Sequence, residues 1–158
     1  MKLRLLCVGR LADGWPRGAV ADYAGRIARY LPFEALEHKE EKGDPGGGDR
    51  ERIRSREGER LLEKIPPAAF VIVLDERGTP RTSEQLADLL ERHMLDGTGE
   101  VVLVIGGAYG LSEAVRRRAG LLLSLSALTL PHQLARLLLC EQLYRAFTII
   151  RHEPYHNR

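Results

Sequence analysis

Features that mark specialised classes of protein are scarce in this chain of 158 residues. It has two cysteines, Cys7 and Cys140, without metal-ligand spacing, so we expect reduced, buried thiols in a cytoplasmic protein and neither a disulfide nor a zinc site. No apolar run approaches the roughly 20 residues that cross a bilayer, which argues against a membrane role. A net charge of +2 is too small to indicate nucleic-acid binding by bulk electrostatics. Contact with RNA would therefore need local patches or an assembled partner surface.

The common nucleotide-binding fingerprints are also missing. The glycine-rich turn IGGAYG at 105–110 follows a late strand and lacks the G-x-G-x-x-G spacing. It also has no acidic residue about 20 positions further on, which argues against a Rossmann dinucleotide loop. No Gly-Lys-Ser or Gly-Lys-Thr occurs, which excludes a P-loop. Taken alone, the turn fits a tight turn without a ligand as well as it fits a backbone-lined pocket.

Apolar runs of strand type alternate with helical patterns, which predicts an α/β fold with a parallel-rich sheet flanked by helices. The runs lie at 3–8, 33–36, 69–74, 101–105 and 121–125. The length and the lack of a visible linker predict a single domain over residues 1–158.

Two segments between these runs are unusually polar. The stretch from Glu37 to Asp49 combines a charge cluster with glycines, so we expect a loop there and neither helix nor strand. Simple disorder is the preferred interpretation of this loop, with substrate contact as the alternative. The segment 49–64 is predicted to be a charged helix whose acidic and basic residues nearly balance, and a solvated face is preferred over an RNA-binding patch.

A second loop strengthens the case for a ligand. The segment 125–130 lies between the last strand and a helix whose opening turn contains Pro131. Both loops would then end parallel strands on one edge of the sheet, which is where open α/β sheets bind ligands. Backbone N–H and C=O groups of two such loops can hydrogen-bond the edge of an adenine, while leucines cover its faces.

The last helix is apolar on two faces. At about 100° per residue, one face contains Leu139, Leu143, Phe147 and Ile150, and nearly the opposite face contains Leu134, Leu137 and Leu138. Such a helix has to be covered twice, by its own sheet and by the same helix of a second subunit. The pattern therefore predicts a twofold homodimer.

The segments MKLRLLCVG, LDERG, IGGAYGLS, LSALTLPHQ, EQLYRAF and EPYH follow one another over essentially the whole chain. Together they resemble the RlmH family of SPOUT RNA methyltransferases, which methylates N3 of a pseudouridine in large-subunit ribosomal RNA. The resemblance implies a C-terminal trefoil knot, S-adenosylmethionine as cofactor, no metal, and large-subunit RNA or the whole ribosome as partner. The alternative is a noncatalytic ribosome- or RNA-binding factor that keeps the knotted fold.

The resemblance also assigns roles to particular residues. It implies cofactor contacts at Leu74, Gly106, Leu125, Ser126, Ala127, Leu128, Thr129 and Leu130. It links activity to His132, Glu141, Tyr155 and His156. Family members generally end in Tyr-His and a basic residue, whereas Asn157 stands here before Arg158, which we expect to replace that residue from one position further on.

These assignments suggest chemical roles for the side chains. Loss of the N3 proton needs a base or a bound water near His132 or His156, and Tyr155 is a candidate stacking surface for a base. His132 with Arg136, and Glu141 with Arg145, are also spaced as plain helix-surface pairs.

Overall fold

A computed structural model describes residues 1–43 and 48–157, in which five strands and five helices alternate. The strands are β1 (Lys2–Val8), β2 (Phe33–His38), β3 (Phe70–Pro80), β4 (Glu100–Ile105) and β5 (Leu121–Ser124). The helices are α1 (Trp15–Ile27), α2 (Arg50–Glu63), α3 (Ser83–Leu95), α4 (Glu113–Arg118) and α5 (His132–Ile150).

The strands form one sheet in the order β2-β1-β4-β3-β5, and every neighbouring pair is parallel. This confirms the predicted parallel α/β sheet flanked by helices. The trefoil knot implied by the resemblance stays a prediction.

Strand β2 extends further than expected. Glu37 and His38 pair with Cys7 and Val8, so the prediction that no strand follows Glu37 was wrong for these two residues. Pairing with a buried neighbouring strand holds the backbone extended although the side chains are polar. Part of the predicted loop, residues 44–47, lies outside the described residues.

The sheet separates two hydrophobic cores because successive side chains of a strand point to opposite faces. Strand β4 shows the division: Leu103 belongs to one core, and its neighbours Val102 and Val104 belong to the other. Helices α1, α3 and α5 cover the first face, and α2 and α4 cover the second. Cys7 and Cys140 are buried in the first core, and burial raises the pKa of each thiol to about 12. Both thiols are therefore neutral at pH 7.

Strand β3 contains an irregularity that shapes one edge of the sheet. Leu74 and Thr79 both oppose Leu123 of β5, so the residues between them form a bulge. A Cβ on Gly78 would lie 2.6 Å from the carbonyl carbon of Leu123, so only glycine fits there. Bulges redirect side chains beside functional sites, and this one aims Asp75 toward the end of the sheet.

Among the helices of residues 1–43 and 48–157, none has the length and apolarity that crossing a membrane requires.

Candidate functional site

A cavity of about 500 Å³ opens at the carboxyl ends of β3, β4 and β5. The bulge of β3, the glycine turn after β4, the loop after β5 and the first turn of α5 all contribute to its walls. Helix α2 contributes Arg50 and Arg54 from the other face of the sheet. The cavity thus lies where the two predicted loops end parallel strands on one edge.

Most residues with a predicted cofactor role line this one cavity. They are Leu74, Gly106, Leu125, Ser126, Leu128, Thr129 and Leu130. Ala127, which was predicted with them, is exposed and lies outside the described lining. The structure therefore brings together residues that are up to 56 positions apart in the sequence, from 74 to 130.

The loop after β5 is held by its own serines. The Ser124 hydroxyl donates to the Ser126 carbonyl at 3.1 Å, and the Leu128 N–H donates to the Ser126 hydroxyl at 2.9 Å. These bonds hold a local turn that leaves the Leu128 side chain 77% exposed, whereas Leu125 and Leu130 are half-buried. The loop therefore presents apolar side chains around backbone groups, as a flat aromatic ligand requires.

Gly106 lines the cavity, and the turn itself also requires glycine at this position. A Cβ at this position would lie 2.7 Å from Cγ of Leu111 and 3.1 Å from the carbonyl carbon of Gly110. It would thus collide with the turn itself before reaching a ligand. Substitution of Gly106 would disturb the second core, where Leu111 is packed, and would not selectively block the cavity.

Asp75 places a negative charge in the wall of the cavity. The side chain is only 4% exposed, and Arg116 Nε donates to Oδ2 at 2.6 Å while the Arg77 N–H donates to Oδ1 at 2.9 Å. Burial alone would raise the pKa of Asp75, but these bonds outweigh it and hold the pKa below its ordinary value. Asp75 therefore remains ionised near neutral pH.

His132 is the predicted catalytic residue that lines the cavity, where it is the first residue of α5. Arg136, one turn further along, is 2% exposed and anchors this end of the helix. Its guanidinium donates to the carbonyls of Val8 at 3.2 Å and Gly9 at 2.7 Å, and to Glu37 Oε1 at 3.0 Å. The interpretation of Arg136 as a surface partner of His132 was therefore wrong, because two strand ends supply acceptors for it inside the fold.

The other predicted activity residues form a separate cluster on α5. Arg145 donates to Glu141 Oε1 at 2.6 Å and 3.0 Å, and the Tyr155 hydroxyl donates to the same oxygen at 3.2 Å. The Arg145 guanidinium also lies 4.9 Å from the centre of the Tyr155 ring. Glu141, Tyr155 and His156 are outside the described lining of the cavity. Nine residues of helix separate His132 from Glu141, which is about 13 Å along the axis.

His156 is held on both ring nitrogens. Nδ1 lies 3.3 Å from a guanidinium nitrogen of Arg145, which can only donate, and Nε2 lies 3.1 Å from Glu84 Oε1. In this arrangement Nδ1 accepts from Arg145 and Nε2 faces the carboxylate of Glu84. The tail is therefore docked on α5 and α3. Arg158 lies outside the described residues.

The phenol of Tyr155 is neutral at pH 7. Burial raises its pKa, and so does the hydrogen bond with the Tyr23 hydroxyl, whose oxygen lies 3.4 Å away. Its ring meets that of Tyr144 edge to face at 4.7 Å. Tyr155 is therefore suited to stacking and hydrogen bonding and unsuited to accepting a proton at neutral pH.

The chemistry of the cavity fits S-adenosylmethionine, the cofactor implied by the sequence resemblance. Its leucines and backbone groups suit an adenosyl group. The first turn of α5 has no side-chain cap, and such a helix end favours a carboxylate. Within the described ranges, no three His, Cys, Asp or Glu side chains lie close enough to hold a metal ion.

Comparison with known proteins shows which family this chain resembles. Residues 1–156 match the family model described as a predicted SPOUT methyltransferase. The ribosomal RNA large subunit methyltransferase H of Syntrophotalea carbinolica is 60% identical over 158 residues and covers all of both chains. The chain belongs to the RlmH family of SPOUT methyltransferases.

Further relatives agree with this membership. The protein of the same name from Pelobacter propionicus is 51% identical over 157 residues, which cover 99% of this chain and 100% of that protein. Among solved structures, a probable methyltransferase from Bordetella pertussis aligns with a TM-score of 0.58 at 21% identity, covering 92% of this chain and 93% of that one. That likeness concerns the fold alone.

Arg136 gives a direct test of how the cavity end of α5 is held. Arg136→Met should lower the free energy of unfolding by about 1–3 kcal/mol, because the carbonyls of Val8 and Gly9 lose a buried donor. Urea denaturation followed by circular dichroism measures the change. Exposed Arg29 offers a matched control, and Arg29→Met should alter stability by less than about 0.5 kcal/mol. Equal effects of the two substitutions would show that the buried bonds contribute nothing.

Proposed function

We propose that this protein is an S-adenosylmethionine-dependent methyltransferase that acts on N3 of a pseudouridine in large-subunit ribosomal RNA. The observation that carries the proposal is the single cavity at three parallel strand ends, which gathers the predicted cofactor residues beside His132. The full-length relatives named ribosomal RNA large subunit methyltransferase H support the RNA substrate. Residues 1–158 act as one methyltransferase domain in this proposal.

The loop after β5 and the glycine turn after β4 would hold the adenosyl group. Leu74, Leu125 and Leu130 would cover its faces, and the backbone of 125–130 would bond its edge. The uncapped start of α5 would receive the carboxylate. S-adenosylmethionine supplies the activated methyl group, and these residues fix the position from which the group leaves.

The protein also has to remove a proton from its substrate. Transfer of the methyl group from sulfur to N3 breaks the bond between sulfur and the methyl carbon and requires loss of the N3 proton, which passes to a base or to a water held by one. His132 is placed for this role because it lines the cavity. His156 has both nitrogens engaged by Arg145 and Glu84, so Nδ1, which accepts in this arrangement, has to leave Arg145 before it can take a proton.

The tail and the cavity of one chain are apart, which supports a homodimer with composite sites. Glu141, Tyr155 and His156 gather on α5 away from the described lining, whereas the family resemblance links them to activity. A second subunit packed against α5 can bring its tail to the cavity of the first. Leu134 of α5 is 42% exposed and Leu128 of the preceding loop is 77% exposed, and a second subunit in such a dimer can cover both side chains.

The net charge of +2 favours a large assembled substrate over free RNA, because this charge gives little general attraction to phosphate. The ribosome is therefore the proposed partner and the cytoplasm the proposed location. The target base has to leave its stack to enter the cavity.

Two measurements on the purified protein test the function. Calorimetry should show binding of S-adenosylmethionine, and ribosomes from a strain lacking the gene should gain one methylated pseudouridine in nucleoside mass spectrometry. Protein-free ribosomal RNA should be a much poorer substrate. Ribosome binding without cofactor binding or methylation would identify a noncatalytic factor and contradict the proposal.

Sedimentation tests the dimer. At micromolar concentration the protein should sediment at about twice the chain mass of 17.7 kDa. Leu134→Asp should shift the equilibrium toward the monomer because it places a charge in an apolar contact. Leu95 at the end of α3 is 79% exposed, so Leu95→Asp is a matched control that should leave the dimer intact. A wild-type monomer would refute composite sites.

Removal of 155–158 tests the role of the tail. The truncated protein should lose methylation while cofactor affinity and dimerisation stay nearly unchanged, because the cavity and α5 precede the tail. Tyr155→Phe keeps the ring on Tyr144 but loses the hydroxyl bonds to Tyr23 and Glu141, so it separates stacking from hydrogen bonding. Wild-type methylation by the truncated protein would reduce the proposed catalytic set to His132 and Glu141 of α5.

A further inference from the structure

Two arginines of α2 reach the cavity from the face of the sheet opposite to α5. Helix α2 packs with α4 over the second core, whereas α5 packs on the first. Arg50 and Arg54 are four residues apart, so they lie on one side of α2, and both line the cavity. The cavity is therefore flanked by His132 from one face of the sheet and by two guanidinium groups from the other.

The arginines of α2 divide into two groups with different partners. Arg56 and Arg60 extend toward Glu41, whose side chain is 14% exposed, and both form ion pairs with it. Arg54 pairs with Glu51, whose side chain is 80% exposed and costs little to displace. The cavity side of α2 therefore presents cations that are held by weak surface contacts.

An aromatic side chain stands beside these cations. Tyr109 is at the tip of the glycine turn, where Gly107 and Gly110 form a bridge and the Gly110 N–H donates to the Gly107 carbonyl at 3.0 Å. The ring is 44% exposed, and the Arg50 guanidinium lies 5.6 Å from its centre. The turn thus holds an aromatic ring in solvent at the mouth of the cavity, where the ring contributes little to the core.

Exposed aromatic rings next to arginines are the elements with which proteins bind single-stranded RNA, through base stacking and phosphate contacts. When the base of a nucleotide enters the cavity, the phosphates of that nucleotide lie at the opening of the cavity. Arg116 is unsuited to receive them because it is bonded to buried Asp75, whereas Arg50 and Arg54 extend from the other helix.

We propose that Arg50, Arg54 and Tyr109 form a docking surface for the RNA strand that flanks the methylated nucleotide. The two guanidinium groups bind phosphates on either side of the flipped base, and a neighbouring base stacks on Tyr109. The inference rests on the proposed function for the identity of the cavity, and it adds the surface through which the RNA enters.

Equilibrium binding to 70S ribosomes tests the surface without relying on turnover. With fluorescently labelled protein, the double variant Arg50→Ala/Arg54→Ala should bind ribosomes about tenfold more weakly than wild type. The slope of log affinity against log salt should fall by about 0.7 for each phosphate contact that is lost. Tyr109→Ala should weaken binding by about tenfold, and Tyr109→Phe should bind like wild type because the ring remains.

A matched control and a second ligand separate this inference from its rivals. Arg56→Ala removes an exposed arginine of the same helix that faces Glu41, and it should leave ribosome affinity unchanged. Calorimetry with S-adenosylmethionine should give the same affinity for wild type and for the double variant. Unchanged ribosome affinity in both the double variant and Tyr109→Ala would contradict the proposed docking surface. If the double variant lost affinity only for the cofactor, the arginines would be assigned to cofactor binding. Both readouts remain informative if wild type binds ribosomes but does not methylate them.

Discussion

Parallel pairing is the constraint on which this molecule depends. All five strands run in one direction, so β3, β4 and β5 end at the same edge, and the segments that follow them have to meet there. The β3 bulge, the glycine turn and the 125–130 loop become neighbours for this reason, although the sequence separates them widely. A site built from backbone and leucine can form here without a charged binding motif, because the geometry of the sheet supplies the convergence.

The same edge is reached from both faces of the sheet. Helix α5 brings His132 from one face, and Arg136 fixes that end by bonding the carbonyls of Val8 and Gly9. Helix α2 brings Arg54 from the other face. Proton handling and phosphate binding are thus assigned in our proposals to different helices, and the sheet between them keeps their spacing constant. Because the two roles lie on different helices, a residue on one helix can change without displacing the residues on the other.

The sequence predicted the sheet because central strands such as β1 and β4 are buried apolar runs. It missed features that depend on a distant partner. Arg136 is buried because two strand ends accept its hydrogen bonds, and no local sequence pattern predicts that contact. Position 106 is restricted to glycine by Leu111, which lies across the turn. The cofactor residues were named by resemblance. The structure was needed to show that most of them line one cavity.

The separation of the tail from the cavity follows from the stiffness of a helix. His132 and Glu141 are on the same continuous α5, so about 13 Å along the axis divides them in every conformation that keeps the helix intact. Tyr155 and His156 return along α5 to the Glu141 end, where Arg145 and Glu84 hold them. A single chain cannot then bring both groups of residues to one base without breaking these contacts. In the proposed homodimer a second copy offers its tail from outside, and the exposed leucines near the start of α5 are covered by that copy.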